Sequence, residues 1–133
     1  MPIPPSPIAD NPAVIGPAGT VHCSLADWAK FATMHLRGEN GKEPLLPAEV
    51  FHKLHTATDG EYAFGWLVAK RGWAGGATLS HVGSNTMWTA DIWLAPKKNA
   101  AYLAATNVGA QSGFQACDAA ITELIKSSNK SQP

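Results

Sequence analysis

The apolar residues between Ser24 and Gly38 recur with the spacing of a helix. Ser24 and Asp27 match the capping-box pattern, in which two side chains near a helix start satisfy free backbone amides. Gly38 is a typical C-terminal stop. The pattern predicts a helix over 24–38 with one apolar face suited to lie on a sheet. That face consists of Leu25, Trp28, Ala29, Ala32 and Leu36.

Two more segments have helical character. Pro47 is preorganised for a first helical position, and Glu49 follows it near the positive end of the helix dipole. This predicts a short helix that ends near His55 and turns Val50 and Leu54 inward. A second apolar stripe predicts a C-terminal helix, and residues 127–133 are expected to form a polar tail with nothing to bury. The stripe consists of Phe114, Cys117, Ile121, Leu124 and Ile125.

Between these helices the apolar period changes from about 3.6 residues to two. From residue 62 onward, one strand face is predicted to carry Tyr62, Phe64, Trp66 and Val68. Further strands are predicted over 77–82, 87–94 and 100–107. The last two are joined by a polar turn at 96–99 that is short enough to force antiparallel pairing. The sequence therefore predicts an α+β fold, an antiparallel sheet meander covered by helices.

Proline divides the chain into two parts. Six of the ten prolines fall within residues 2–17, where they favour extended backbone. Residues 1–18 are therefore predicted to be a Pro-rich extended arm, and residues 19–133 to be one sheet-and-helix domain.

Charge limits the choice of partners. Ten basic and ten acidic residues cancel, so neither nucleic-acid binding nor a basic membrane-binding face is predicted. No apolar run is long enough for a transmembrane segment. Charged residues form only 15% of the chain, against about 25% in typical soluble domains. This low content suggests that part of the surface is covered.

Cys23 and Cys117 allow one disulfide or two buried thiols.

The polar segment His81-Val82-Gly83-Ser84-Asn85 follows a predicted strand and precedes Trp88. Gly83 would let a ligand approach the backbone, and successive amides could donate to an oxyanion. An ordinary turn with a structural histidine is the alternative interpretation.

Six short motifs in this order resemble the C-terminal part of the serine β-lactamase and penicillin-binding-protein-like hydrolases, in the class C and esterase-like branch. The motifs are Pro17-Ala18-Gly19-Thr20, Ser24-Leu25-Ala26-Asp27-Trp28, Leu45-Leu46-Pro47, Tyr62-Ala63-Phe64-Gly65-Trp66, His81-Val82-Gly83-Ser84-Asn85 and Ala104-Ala105-Thr106-Asn107. The resemblance implies part of an α/β/α sandwich without its helical lobe. It also implies a bacterial periplasmic or secreted setting, no cofactor, and ester, amide or β-lactam substrates.

In this family, His81-Val82-Gly83 matches the third motif, which borders the active site. The resemblance implies that His81 faces the cleft and that Gly83 clears room for substrate. The backbone N–H of Ser84 would form half of an oxyanion hole. Asn85 and Trp88 are the further candidates for substrate contact. Class C β-lactamases usually carry Lys at the position of His81, so an esterase or peptidase is as well supported as a lactamase.

The two other family motifs have no match upstream of His81. These motifs are Ser-x-x-Lys, which supplies the nucleophile, and Tyr-x-Asn. Ser127-Ser128-Asn129-Lys130 fits the first pattern, but it follows the third motif within the predicted tail. The chain is therefore expected to supply one wall of a hydrolase site and to be inactive alone. A noncatalytic binding or assembly module is the alternative. Either interpretation predicts self-association through an unpaired sheet edge, with exchange of the Pro-rich arm as one route.

Three other patterns are weaker. His52 and His55 stand at i and i+3 and could share a metal, but the sequence shows no third ligand. Surface histidines are expected there and no metal is proposed. His22 beside Cys23 is expected to be structural, and Trp73 to lie in a loop with Trp88.

Overall fold

The computed structural model describes residues 6, 11–85 and 87–130, and within them it confirms the α+β class. Four antiparallel strands stand side by side in chain order, so the sheet is the predicted meander. The helices are α1 (Gly16–Gly19), α2 (Leu25–Glu39), α3 (Ala48–His55) and α4 (Ala110–Lys130). The strands are β1 (Leu67–Arg71), β2 (Gly76–Ser84), β3 (Thr89–Ala95) and β4 (Ala100–Thr106).

Part of the predicted arm is helical. Residues 1–5 and 7–10 lie outside the described residues. A 3₁₀ turn covers Ala13–Ile15 and α1 follows it directly. The Asn11 side-chain amide donates to the Gly19 carbonyl at 2.8 Å, which ties the start of this segment to its end. The prediction of extended backbone up to residue 18 is therefore wrong over residues 13–18.

Helix α2 begins at the predicted cap. The Ser24 hydroxyl accepts from the Asp27 backbone N–H at 3.1 Å and donates to the Asp27 carboxylate at 2.7 Å. The helix continues past Gly38 to Glu39, so Gly38 is not the stop. A Cβ at Gly38 would overlap the ring of Phe51, which is fully buried on α3. Glycine at this position lets α2 and α3 approach closely.

The first predicted strand begins five residues late, at Leu67. Residues 63–66 form a turn in which the Ala63 N–H donates to the Trp66 carbonyl at 2.8 Å. Gly65 has a φ of 84°, which is a backbone conformation that favours glycine. The turn buries Ala63 and Trp66 and leaves Tyr62 and Phe64 more than half exposed. The predicted alternation over 62–66 is therefore wrong, because Gly65 reverses the chain.

Strand pairing separates two groups of side chains. On one face, Leu79, Ile92 and Leu94 pack with Ala32 and Leu36 of α2. Adjacent residues point to the opposite face, where α4 packs against β3 and β4. The domain therefore has three layers: α2 with α3, the sheet, and α4.

Helix α4 is longer than predicted. It extends through Lys130, so residues 127–130 are helical and not a free tail. Two hydrogen bonds anchor them, one to β4 and one to the turn between β3 and β4: Tyr102 Oη lies 2.6 Å from Ser128 Oγ, and Lys98 Nζ donates to Asn129 Oδ1 at 2.6 Å. This end of the helix therefore has partners that the sequence pattern did not indicate.

The two cysteines are free thiols in different environments. Cys117 is buried on α4 as expected, whereas Cys23 is exposed just before α2. Of the two alternatives, the structure has free thiols and no disulfide between Cys23 and Cys117, and only Cys117 is buried. Over the described ranges, no helix combines the length and the apolarity that crossing a membrane requires.

Candidate functional site

The predicted site lies at the end of β2, on the sheet face that α2 covers only in part. His81 pairs with Ile92 and Gly83 with Ala90, so all four residues share that face. Helix α2 packs over β3 and β4, and His81 and Gly83 are both exposed. A Cβ at Gly83 would meet no atom within 4 Å. This end of β2 is therefore open to an approaching molecule.

His81 is held by the turn that precedes β1. Its Nδ1 lies 2.7 Å from the Gly65 carbonyl oxygen. A carbonyl can only accept, so Nδ1 carries the proton in this bond. In the neutral ring the lone pair is therefore on Nε2. The left-handed turn at Gly65 thus fixes both the orientation and the tautomer of His81.

The turn between β2 and β3 uses the other candidate side chains. Asn85 Oδ1 accepts from the backbone N–H groups of Met87, at 3.1 Å, and Trp88, at 2.7 Å. Ser84 Oγ donates to the Trp88 carbonyl at 2.6 Å. These bonds stabilise the turn, and both hydrogen bonds accepted by the side-chain oxygen of Asn85 come from the backbone of the turn.

The structure brings together some candidates and separates others. His81 and Gly83 share the open face, while the Ser84 side chain points to the opposite face, as alternation requires. Trp88 lies at the turn and is 36% exposed. Trp73 lies in the connection between β1 and β2, as predicted, but its ring packs against Trp93 and Tyr102, with ring centroids 6.3 and 5.7 Å away. Trp73 therefore does not belong to this site.

A second polar cluster joins α2 to α3. His35 Nδ1 lies 2.8 Å from His55 Nε2, and His55 Nδ1 lies 2.6 Å from Glu39 Oε2. Both imidazoles are buried, so the expectation that His55 is a surface residue is wrong. His52 is exposed and its Nε2 lies 3.1 Å from the Glu39 carbonyl oxygen. The two histidines of the i, i+3 pair therefore have different environments.

The hydrogen bonds in this cluster have a direction. A carboxylate only accepts, so His55 Nδ1 donates to Glu39, and in that tautomer the unprotonated Nε2 of His55 accepts a hydrogen bond from His35 Nδ1–H. Burial, with repulsion from His55, lowers the pKa of His35 to about 4. His35 is therefore neutral near pH 7. The cluster connects two helices through paired buried polar groups.

The helical spacing of the sequence indicates that His35 is buried, but it does not indicate the partner of His35. His35 follows Ala32 by three positions and adjoins Leu36, which places it on the inward face of α2. Its partner His55 lies 20 positions later, so only the packing of α3 on α2 reveals the pair. Within the described part of the chain, no group of three His, Cys, Asp or Glu side chains is placed to hold a metal ion.

Comparison with known proteins gave no relative: no family model, curated protein or solved structure matches the chain.

The tautomer of His81 is open to a direct test. Replacing Gly65 by Ala strains the left-handed turn and should weaken the bond from His81 Nδ1 to the carbonyl. Nitrogen chemical shifts of the imidazole should report an Nδ1–H tautomer in the wild type and a mixture in Gly65→Ala. Gly60→Ala is the matched control, since Gly60 also has a positive φ, of 58°, and open surroundings. An unchanged His81 spectrum in Gly65→Ala would contradict the role assigned to the turn.

The buried His35 predicts a pH-dependent stability. Its pKa falls from 6.5 to about 4 on folding, so the unfolded chain binds more protons between these values. The contribution of His35 to the free energy of unfolding is therefore complete above pH 6.5 and is lost as the pH drops toward 4, by up to about 3 kcal/mol. The difference in unfolding free energy between wild type and His35→Gln, measured by denaturant titration, should change over this interval. A difference that is constant with pH would contradict the prediction.

Proposed function

We propose that this chain supplies the sheet wall of a serine-hydrolase site that cleaves esters or amides through an acyl-serine intermediate. The observation that carries the proposal is the bond between His81 Nδ1 and the Gly65 carbonyl. It leaves Nε2 as the acceptor of an exposed imidazole beside Gly83, where the backbone is accessible. The motif resemblance supplies the reaction class.

Each residue has a defined task in this proposal. His81 Nε2 accepts a hydrogen bond from the substrate or from the attacking hydroxyl, and Gly83 lets the acyl group lie against the strand. The motif resemblance assigns the oxyanion to the Ser84 backbone N–H, an interaction worth about 3 kcal/mol of the barrier where water is excluded. The residues upstream of His81 in this chain contain neither the nucleophilic serine nor the lysine that activates it. In this proposal both residues come from other polypeptide.

The proposal predicts where activity resides. The isolated chain should hydrolyse neither p-nitrophenyl esters nor nitrocefin, because it lacks a positioned nucleophile. The native gene product should exceed this chain in intact mass and should be labelled on serine by a fluorophosphonate or a penicillin. His81→Ala in that product should lower the labelling rate by about 10- to 100-fold.

Ser127→Ala is the control for this experiment, because Ser127 lies in the chain's own Ser-x-x-Lys match on α4. This variant should label like the wild type. A native product with the mass of this chain and no labelled serine would contradict the proposal. So would ester turnover by the isolated chain that is lost in His81→Ala.

A specific observation favours the second candidate, an assembly module. Strand β4 forms one edge of the sheet, and its seven residues include neither a charge nor a proline. The opposite edge, β1, carries Lys70 and Arg71. Charges and prolines are the usual protection against pairing between edges. We therefore propose that β4 pairs with β4 of a second copy, in the symmetric contact common in dimers.

Self-association can be measured by sedimentation of the purified chain. A dimer is expected at micromolar concentrations, and Ala105→Lys should shift it to monomer because it adds a charge at an exposed position of β4. Ala119→Lys adds the same charge at an exposed position of α4 and should remain dimeric. A wild-type monomer, or a dimer that Ala105→Lys leaves intact, would contradict pairing through β4.

A further inference from the structure

A cavity of about 250 Å³ lies between the sheet and α4, on the face opposite His81. The cavity is lined from β3 by Asp91 and Trp93, and from α4 by Phe114 and Asp118. Ser80 contributes from β2. Asp91 pairs with Val82, whereas His81 pairs with Ile92, so alternation places Asp91 away from the proposed hydrolase face. The cavity and His81 therefore lie on opposite faces of the sheet.

Asp91 is the unusual residue of this cavity. It is only 5% exposed, and its carboxylate receives hydrogen bonds from the Trp93 side chain and the Ile92 backbone, while Oδ1 is fully buried without a hydrogen-bond partner in the described part of the protein. Buried carboxylates are normally paired with a cation or with several donors, because desolvating an unpaired charge is costly. Burial, together with repulsion from Asp118, raises the pKa of Asp91 to about 6. The protein thus keeps an incompletely hydrogen-bonded carboxylate in the wall of this cavity.

The residues that line the cavity indicate which chemical group could bind beside Asp91. Two carboxyl groups face the cavity, and no described lining residue is basic. Trp93 and Phe114 provide aromatic walls, which attract cations and flat apolar groups. Arg71 already lies 5.8 Å from the centroid of the Trp93 ring, so a guanidinium is compatible with this tryptophan. A metal ion is a poorer fit, because the described residues provide no group of three suitable ligands.

We propose that this cavity binds an organic cation, a guanidinium, amidinium or primary ammonium group on a short apolar stem, through Asp91 and Asp118. The cationic group donates to the Asp91 carboxylate, and its stem lies against Trp93 and Phe114. The cavity volume corresponds to about eight water molecules, enough for a ligand of similar heavy-atom number. The same group occurs in small amines and in arginine or lysine side chains of a polypeptide.

Benzamidine is a suitable probe, because it joins an amidinium to an aromatic ring. Nuclear magnetic resonance titration of the full chain at about pH 7.5, above the pKa of Asp91, should give saturable shifts at the Trp93 indole and at Asp91. The expected dissociation constant is on the order of 1 mM for so small a ligand. Benzamide has the same shape without the charge and should bind at least about 10-fold more weakly.

Two variants test whether the buried carboxylate of Asp91 binds the cation. Asp91→Asn removes this charge at nearly constant volume and should weaken benzamidine binding at least about 10-fold. Glu123→Gln removes a charge from an exposed position of α4 and should bind like the wild type. Binding is read from the chemical shifts alone, so the result does not depend on the proposed hydrolase function.

A capped arginine peptide distinguishes the two sources of the cation. Binding as strong as that of benzamidine, with shifts at the same residues, supports recognition of a polypeptide side chain. Binding of benzamidine alone supports a free small amine. Equal binding of benzamide, or unchanged binding by Asp91→Asn, would overturn the proposal. Absence of saturable shifts at Trp93 would overturn it as well.

Discussion

The register between β2 and β3 determines where every functional group of this domain lies. His81 stands opposite Ile92 and Val82 opposite Asp91, so consecutive pairs point to opposite faces of the sheet. A slip of one residue would exchange them. The register is fixed because Leu79, Ile92 and Leu94 must face α2, since these apolar residues form the core between the helix and the sheet. Hydrophobic burial thereby positions the polar groups.

The two faces carry polar groups of different character. On the open side, His81 is oriented by a carbonyl in a left-handed turn, which leaves its second nitrogen accessible. On the α4 side, Asp91 is buried and its Oδ1 lacks a donor among the described residues. The first arrangement resembles a preorganised reaction partner, and the second resembles a recognition site for a donor. Their separation by the sheet means that occupancy of one need not obstruct the other.

Buried polar groups also connect the helices. Hydrogen bonds link Glu39 to His55 and His55 to His35. Aromatic rings pack around these side chains, and the ring centroids of Trp66 and Phe51 lie 5.2 and 5.7 Å from that of His35. Such a network specifies one packing of α3 on α2, because a shifted helix would leave buried nitrogens unpaired. Gly38 strengthens the same constraint, since only glycine leaves room for the Phe51 ring.

Local pattern alone determined a large part of this protein. The cap at Ser24, the helix after Pro47 and the apolar stripe through Cys117 and Ile121 depend on residues close in sequence. The alternation in β2, β3 and β4, with the short connection between the last two, was sufficient to predict an antiparallel meander. The location of His81, Gly83 and Ser84 at a strand end followed from the same alternation.

The tertiary structure decided what depends on partners distant in sequence. Gly65 allows both a strand bulge and a reversal, and the burial of Trp66 among α2 and α3 selects the reversal. The His35 and His55 pair and the bond from Tyr102 to Ser128 join residues 20 and 26 positions apart. In the sequence, nothing distinguishes Asp91 from other polar residues of the strands. Only the packing of α4 over β3 removes it from water, because burial depends on everything that folds around a residue and not on its neighbours in the chain.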